Sequence, residues 1–232
     1  AEVSKGLYHA HEQRDHRGQP LGIVHRDVSP QNVMIAHTGD VKLIDFGIAR
    51  AEGRAAQTNV GTIKGKLRYL APEIALGLEP DHRVDVYCCG IVLFELLTGE
   101  AMFAPRTDVE AIEMASQAKV RSPRLSNPAV PVELEDIVMR ALVRDRDRRY
   151  PSARALHVDL RRFLNTFAPA FVGSELGDYM LALFGPEMEE DRRLDQLAEK
   201  VVAEVQAGGA EAARAEPAPV ARPREPSALG PA

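Results

Sequence analysis

Residues 84–97, VDVYCCGIVLFELL, are the most apolar run in this 232-residue chain. Only Asp85 and Glu95 interrupt it, and it falls short of the ~20 apolar residues that a membrane span needs. A helix that is apolar on every face must be covered on every face. The run therefore predicts a buried core helix wrapped by other helices. The wrapping is legible on either side. Residues 1–14 carry Val3, Leu7, Tyr8 and His11 on one face. Residues 107–118 and 131–143 repeat the helical spacing, the second with Leu134, Ile137, Val138, Ala141 and Leu142 on one stripe. Ser152 caps a further helix to about Thr166. Residues 173–184 and 187–206 read as two more, the last heavily charged. From 207 onward large apolar residues almost vanish, which predicts a disordered Ala/Pro-rich tail.

Strand-like runs are few and short, at 23–25, 33–35 and 41–44, with "HTGD" as a hairpin turn between the last two. Residues 48–70 read as a long loop, a length usually kept for function or disorder. The fold class is thus mainly α with a small β-hairpin region. Net charge is −5, so no basic face calls for nucleic acid. Cys88 and Cys89 are adjacent, which disfavours a disulfide and predicts buried reduced thiols and a cytoplasmic setting. Neither a leader pattern nor a membrane span is read in the chain. His9, His11, His16, His37, His82 and His157 are scattered, and are expected to be surface or core histidines rather than metal ligands.

The chemistry is concentrated in two stretches. In "IVHRDVSPQNVMI" an Asp, an Asn and a tight Ser-Pro turn lie between apolar runs. Asp27 sits on a short rigid loop, and Asn32 is five residues further on. Asp45 ends the next strand-like run. Hairpin-linked strands can present Asp27, Asn32 and Asp45 around one pocket. An amide oxygen with a carboxylate is hard-oxygen ligation suited to Mg²⁺ on phosphates. The remaining acid is left to orient a hydroxyl nucleophile.

"HRDVSPQN" (25–32), "DFG" (45–47) and "APE" (71–73), in that order, resemble the catalytic loop, metal motif and activation-segment end of eukaryotic-like (Hanks-type) bacterial serine/threonine protein kinases. The resemblance covers residues 1–166 and implies the helical C-terminal lobe of a kinase-like fold, with 167–206 as a helical extension and 207–232 as the tail. It implies Asp27 as the catalytic base, with Asn32 and Asp45 holding Mg²⁺ against ATP. His25 and Phe46 would stack in the lobe's spine, next to Gly47. Met34 would lie under adenine. Arg26 would meet a phosphate on the activation loop, with Thr62 the expected site on spacing and Thr58 the second choice. Asp85 would hold the catalytic-loop backbone, and Arg148 would pair with Glu73.

Two positions depart from the pattern. Ser29 stands where a lysine is usual, and Lys66 stands where a threonine is usual. The two side chains look exchanged, so that Lys66 would bring the ammonium to the transferred phosphate from the other side of the site. Gln31 replaces an acid common in relatives that prefer arginine near the acceptor, while Glu95 keeps a second possible contact. A Gly-rich phosphate loop, a strand lysine and its helix glutamate are not found in these residues, so the chain is expected to present half an active site. Three readings follow. One is a protein kinase acting on protein substrates, its N-terminal lobe supplied upstream or by another polypeptide. The others are a non-catalytic interaction module and an inactive fragment.

Overall fold

The computed structural model describes residues 1–46 and 67–214, with side chains as far as residue 203. Gly47, Thr58, Thr62 and Lys66 therefore lie outside the described residues. Contacts divide the chain into two units, Ala1–Met180 and Leu181–Ala232.

The apolar run becomes helix α3 (Arg83–Thr98), after α1 (Glu2–His11) and the short α2 (Pro72–Ala75). Every residue from Val84 to Ile91 is buried, and Phe94 with them. The helix divides the core. Val86, Cys88 and Cys89 enter one cluster with Leu7, Ile137 and Leu156, while Val84, Tyr87, Ile91 and Phe94 enter another with Met102 and Val138. Burial on both sides is what an all-round apolar helix requires. Gly99 ends it with φ of 68°, the left-handed conformation that glycine adopts without a Cβ penalty.

The wrapping helices are α4 (Asp108–Gln117), α5 (Pro123–Ser126), α6 (Val132–Ala141) and α7 (Ala153–Phe167). Thr107 and Ser152 cap α4 and α7, accepting from the Glu110 and Ala155 amides at 3.2 Å each. Such caps contribute about 1 kcal/mol apiece. α1 packs on α7, and α6 packs on both α3 and α7. α1 stops at His11, short of the expected Arg14. A closed loop follows, with the Leu21 amide returning to the Gln13 carbonyl at 2.9 Å.

The sheet is one hairpin, β1 (Val33–Ile35) antiparallel to β2 (Val41–Leu43), in the register Val33↔Leu43 and Ile35↔Val41. The HTGD turn forms as expected, closed by Gly39 N to Ala36 O at 2.9 Å. Residues 23–25 are not a strand. The His25 amide goes to a carboxylate instead of a neighbouring strand.

The final helix, α8 (Gly173–Arg214), joins two helices across non-helical backbone at Phe184 (φ −124°, ψ 15°), two residues before Pro186. That break matches the expected gap between two helices. The helix runs on to Arg214. Residues 215–232 lie outside the described residues. No helix among the described residues is long and apolar enough to cross a membrane.

Candidate active site

The loop from His25 to Asn32 is fixed by a buried carboxylate. Asp85, fully buried in the first turn of α3, accepts the His25 amide on Oδ2 and the Arg26 amide on Oδ1, both at 2.8 Å. Arg26 has φ of 63°, a left-handed conformation that costs a non-glycine residue roughly 1–2 kcal/mol. The two hydrogen bonds to Asp85 are what hold it there. Asp45 is bent in the same way, at φ 57°. Strained backbone of this kind clusters at ligand sites.

His25 ties the two halves together. Its Nε2 donates to the Ile44 carbonyl at 2.9 Å, and its Nδ1 accepts the Asp27 amide at 3.2 Å. Those bonds assign the neutral tautomer with the proton on Nε2. The ring also lies against Phe46, centroids 4.5 Å apart, as the resemblance implies.

Asn32 Nδ2 donates to the Asp27 carbonyl at 2.7 Å and to Asp27 Oδ2 at 3.1 Å. Its NH₂ is therefore spent on aiming Asp27, and its Oδ1 is left as a donor for a cation. The Ile44 amide donates to the Asn32 carbonyl at 2.9 Å, which brings Asp45 up beside Asn32. No group of three or more His, Cys, Asp or Glu among the described residues could hold a metal. An amide oxygen and a carboxylate are hard-oxygen ligand types of the kind that suits Mg²⁺.

Ser29 is buried, and its Oγ has no partner among the described residues. An unsatisfied buried hydroxyl costs about 1–3 kcal/mol. Met34 is 53 % exposed on the hairpin, together with Ile35 and Ile44. Arg26 faces a cavity of ≈ 310 Å³ shared with Tyr69, Ala71 and Val84.

Glu73 is buried, but its partner is Arg149, not Arg148. The Arg149 guanidinium meets both Glu73 oxygens at 2.7 Å. Its other N–H groups go to the carbonyls of Val143, Arg144 and Arg83, and it lies over the Tyr87 ring. Arg148 ends a 3₁₀ turn, Arg146–Arg148, and faces solvent. The stretch RDRDRR offers arginines one residue apart, and only the turn decides which points inward.

Two features escaped the sequence reading. His11 is not a bystander, because its Nε2 sits 2.8 Å from Asp85 Oδ2 with both side chains buried. Its position on the apolar face of the first helix was the available signal. Glu95, expected to keep a second possible contact, accepts the Tyr69 hydroxyl at 2.7 Å and the Met102 amide at 3.4 Å. Burial and the Glu95 carboxylate push the Tyr69 phenol far above its ordinary range, so it stays a donor.

The family model described as protein kinase domain matches residues 1–160. Among curated relatives, the tyrosine-protein kinase MasK of Myxococcus xanthus is 37% identical over 99% of this chain and 35% of its own length. The serine/threonine-protein kinase PrkC of Bacillus subtilis is 36% identical over 69% of this chain and 24% of its own. The serine/threonine-protein kinase PknB of Mycobacterium tuberculosis is 37% identical over 64% and 24%. The chain thus spans about a third or less of the length of these relatives. The solved twitchin kinase region from C. elegans matches with a TM-score of 0.52 and 25% identity, over 67% of this chain and 26% of that one.

Proposed function

Because the chain belongs to the protein kinase domain family, we propose that it carries the catalytic half of a bacterial serine/threonine protein kinase, one that moves the γ-phosphate of ATP to protein hydroxyls. The observation that carries this reading is the pair of hydrogen bonds that Asn32 Nδ2 donates to Asp27, one to its carbonyl and one to its carboxylate, which point the acid and leave the amide oxygen for a cation. The acceptor oxygen attacks the γ-phosphorus, the bond to the β–γ bridging oxygen breaks, and the hydroxyl proton passes to Asp27. Asn32 and Asp45 would hold Mg²⁺, which supplies neutralisation of the phosphate charge. Phosphoryl transfer depends mostly on such positioning and electrostatics.

Ser29 and Lys66 act as an exchanged pair in this proposal. The orphan Ser29 hydroxyl supports it, since a buried Oγ calls for a partner that the described residues do not supply. Arg26 is proposed to bind a phosphate on Thr62, or failing that Thr58, with a bidentate guanidinium contact. Its acceptors are cytoplasmic proteins, a compartment that suits the free thiols of Cys88 and Cys89. A separate polypeptide supplying the upper lobe finds no support in the comparisons.

A second reading changes only the acceptor. MasK, whose match runs through residues past 166, is named a tyrosine kinase, and the lysine usual in serine/threonine members is absent at Ser29. The test is phosphoamino-acid analysis of casein after incubation with the whole kinase, Mg²⁺ and labelled ATP. Phosphoserine and phosphothreonine that vanish in Asp27→Asn support the first reading. Phosphotyrosine alone moves the acceptor to tyrosine. No transfer by the whole kinase would leave the non-catalytic module.

A further inference from the structure

The first two turns of α8 lie past the region matched by the protein kinase family model, which ends at residue 160. Yet they press on the hairpin that carries the site. A Cβ built on Gly177 would meet His37 O, Thr38 C and Thr38 O at 3.0 Å each. A Cβ on Gly39 would lie 2.7 Å from Gly177 N and would clash with the Gly173 carbonyl. Helix backbone and turn backbone are thus in direct contact, and Gly39 is buried beneath the helix. The far end of the same hairpin holds Asn32, just before β1, and Asp45, just after β2.

We propose that residues 173–180 are a built-in brace, seated on the 37–39 turn through Gly177, whose docking sets the rigidity of the hairpin and hence of the Asn32–Asp45 pair. The consequence for metal rests on the proposed function, whereas the brace itself does not. Gly177 is the informative position because it lies within the helix. Alanine is the better helix former there, so a free helix would be strengthened by Gly177→Ala. A seated helix would instead be pushed against three backbone atoms of the turn at 3.0 Å, so that helix or turn must shift by a few tenths of an ångström. Gly39 is a poorer probe, since its φ of 85° disfavours any side chain by itself.

The test compares the full chain with Gly177→Ala and Gly173→Ala, the latter a control whose new Cβ meets open space. Gly177→Ala is expected to lower the Tm and to speed amide exchange across 33–43 by about tenfold or more, while Gly173→Ala leaves hairpin exchange unchanged. A raised Tm, or unchanged hairpin exchange, in Gly177→Ala overturns the proposal. Should Gly177→Ala fail to fold, a protease site placed between Ala168 and Phe171 cuts the link ahead of the helix in the folded protein, and the helical fragment is then removed by gel filtration. Hairpin exchange that does not change after that cut overturns it equally. None of these readouts requires kinase activity, so an inactive whole kinase with a coupled hairpin would sink the function and leave the brace standing.

Discussion

His11 Nε2 donates to Asp85 Oδ2, the same oxygen that receives the His25 amide. One buried carboxylate thus joins the first helix to the loop from His25 to Asn32. Replacing His11 with Leu leaves Asp85 one donor short, at a cost of about 1–3 kcal/mol. In the whole kinase the slackened loop should lower kcat by roughly 10- to 100-fold. Urea unfolding and steady-state kinetics check the two effects, and an unchanged kcat would return His11 to a packing role.

Arg149 and Arg148 give opposite expectations from adjacent positions. Arg149→Ala strands the buried Glu73 carboxylate and should destabilise by about 3–5 kcal/mol. Arg148→Ala removes a solvated side chain and should stay within about 0.5 kcal/mol. Denaturant midpoints of the two variants measured side by side decide the matter.

Acid stability has a traceable source at Asp81. Burial alone would raise its carboxyl, but the hydrogen bonds and charge of Arg83 prevail and hold it at about 2, down from 3.8. A depressed folded value means stability that is present above pH 3.8 and lost as the pH falls toward 2. The stability difference between parent and Asp81→Asn should therefore shrink across that window. A difference that stays constant from pH 5 to 2 would assign the loss to other groups.

Cys88 and Cys89 should be inert in the folded chain. Burial pushes the Cys89 thiol up to about 12 and drives Cys88 up as well, and the Cys88 Sγ donates to the Tyr69 carbonyl. Only the thiolate attacks disulfide reagents. Folded protein at pH 8 should react with Ellman's reagent at least ~100-fold more slowly than unfolded protein, as protection by the native state predicts. Equal rates would place these thiols at the surface.

The exchange of Ser29 with Lys66 makes the sharpest kinetic prediction. In the whole kinase, Lys66→Ala should lower kcat by roughly 10²-fold or more, the size of one lost contact to transition-state charge. Ser29→Lys with Lys66→Thr should recover much of it. Full activity of Lys66→Ala would refute the exchange.

Much of the site was legible because its chemistry is local. Asp27 and Asn32 lie on one loop, and a single hairpin carries Asp45 back to them, so short-range spacing was enough. The Asp85 anchor was legible only through the family resemblance, since its partners at His25 and Arg26 are 60 and 59 positions away. What failed depended on direction rather than identity. Arg148 and Arg149 are the same residue type, and the 3₁₀ turn alone separates them. Residues 23–25 looked like a strand because Ile23, Val24 and the following pattern suit one, but the carboxylate of Asp85 took the amide that a strand would have shared. The partners of His11 and Glu95 could not be read from spacing, because they lie 74 and 26 positions away in sequence, at Asp85 and Tyr69.

Left-handed backbone at Arg26 and Asp45 also sets a limit on how this lobe can be improved. Glycine at either position would relax the strain, so a selection for thermal robustness alone would drift toward it. It would also loosen the acid next door at Asp27, or delete the Asp45 carboxylate itself. Durability and competence therefore pull these two positions in opposite directions, and a variant library screened only for heat resistance should fill with well-folded, silent proteins.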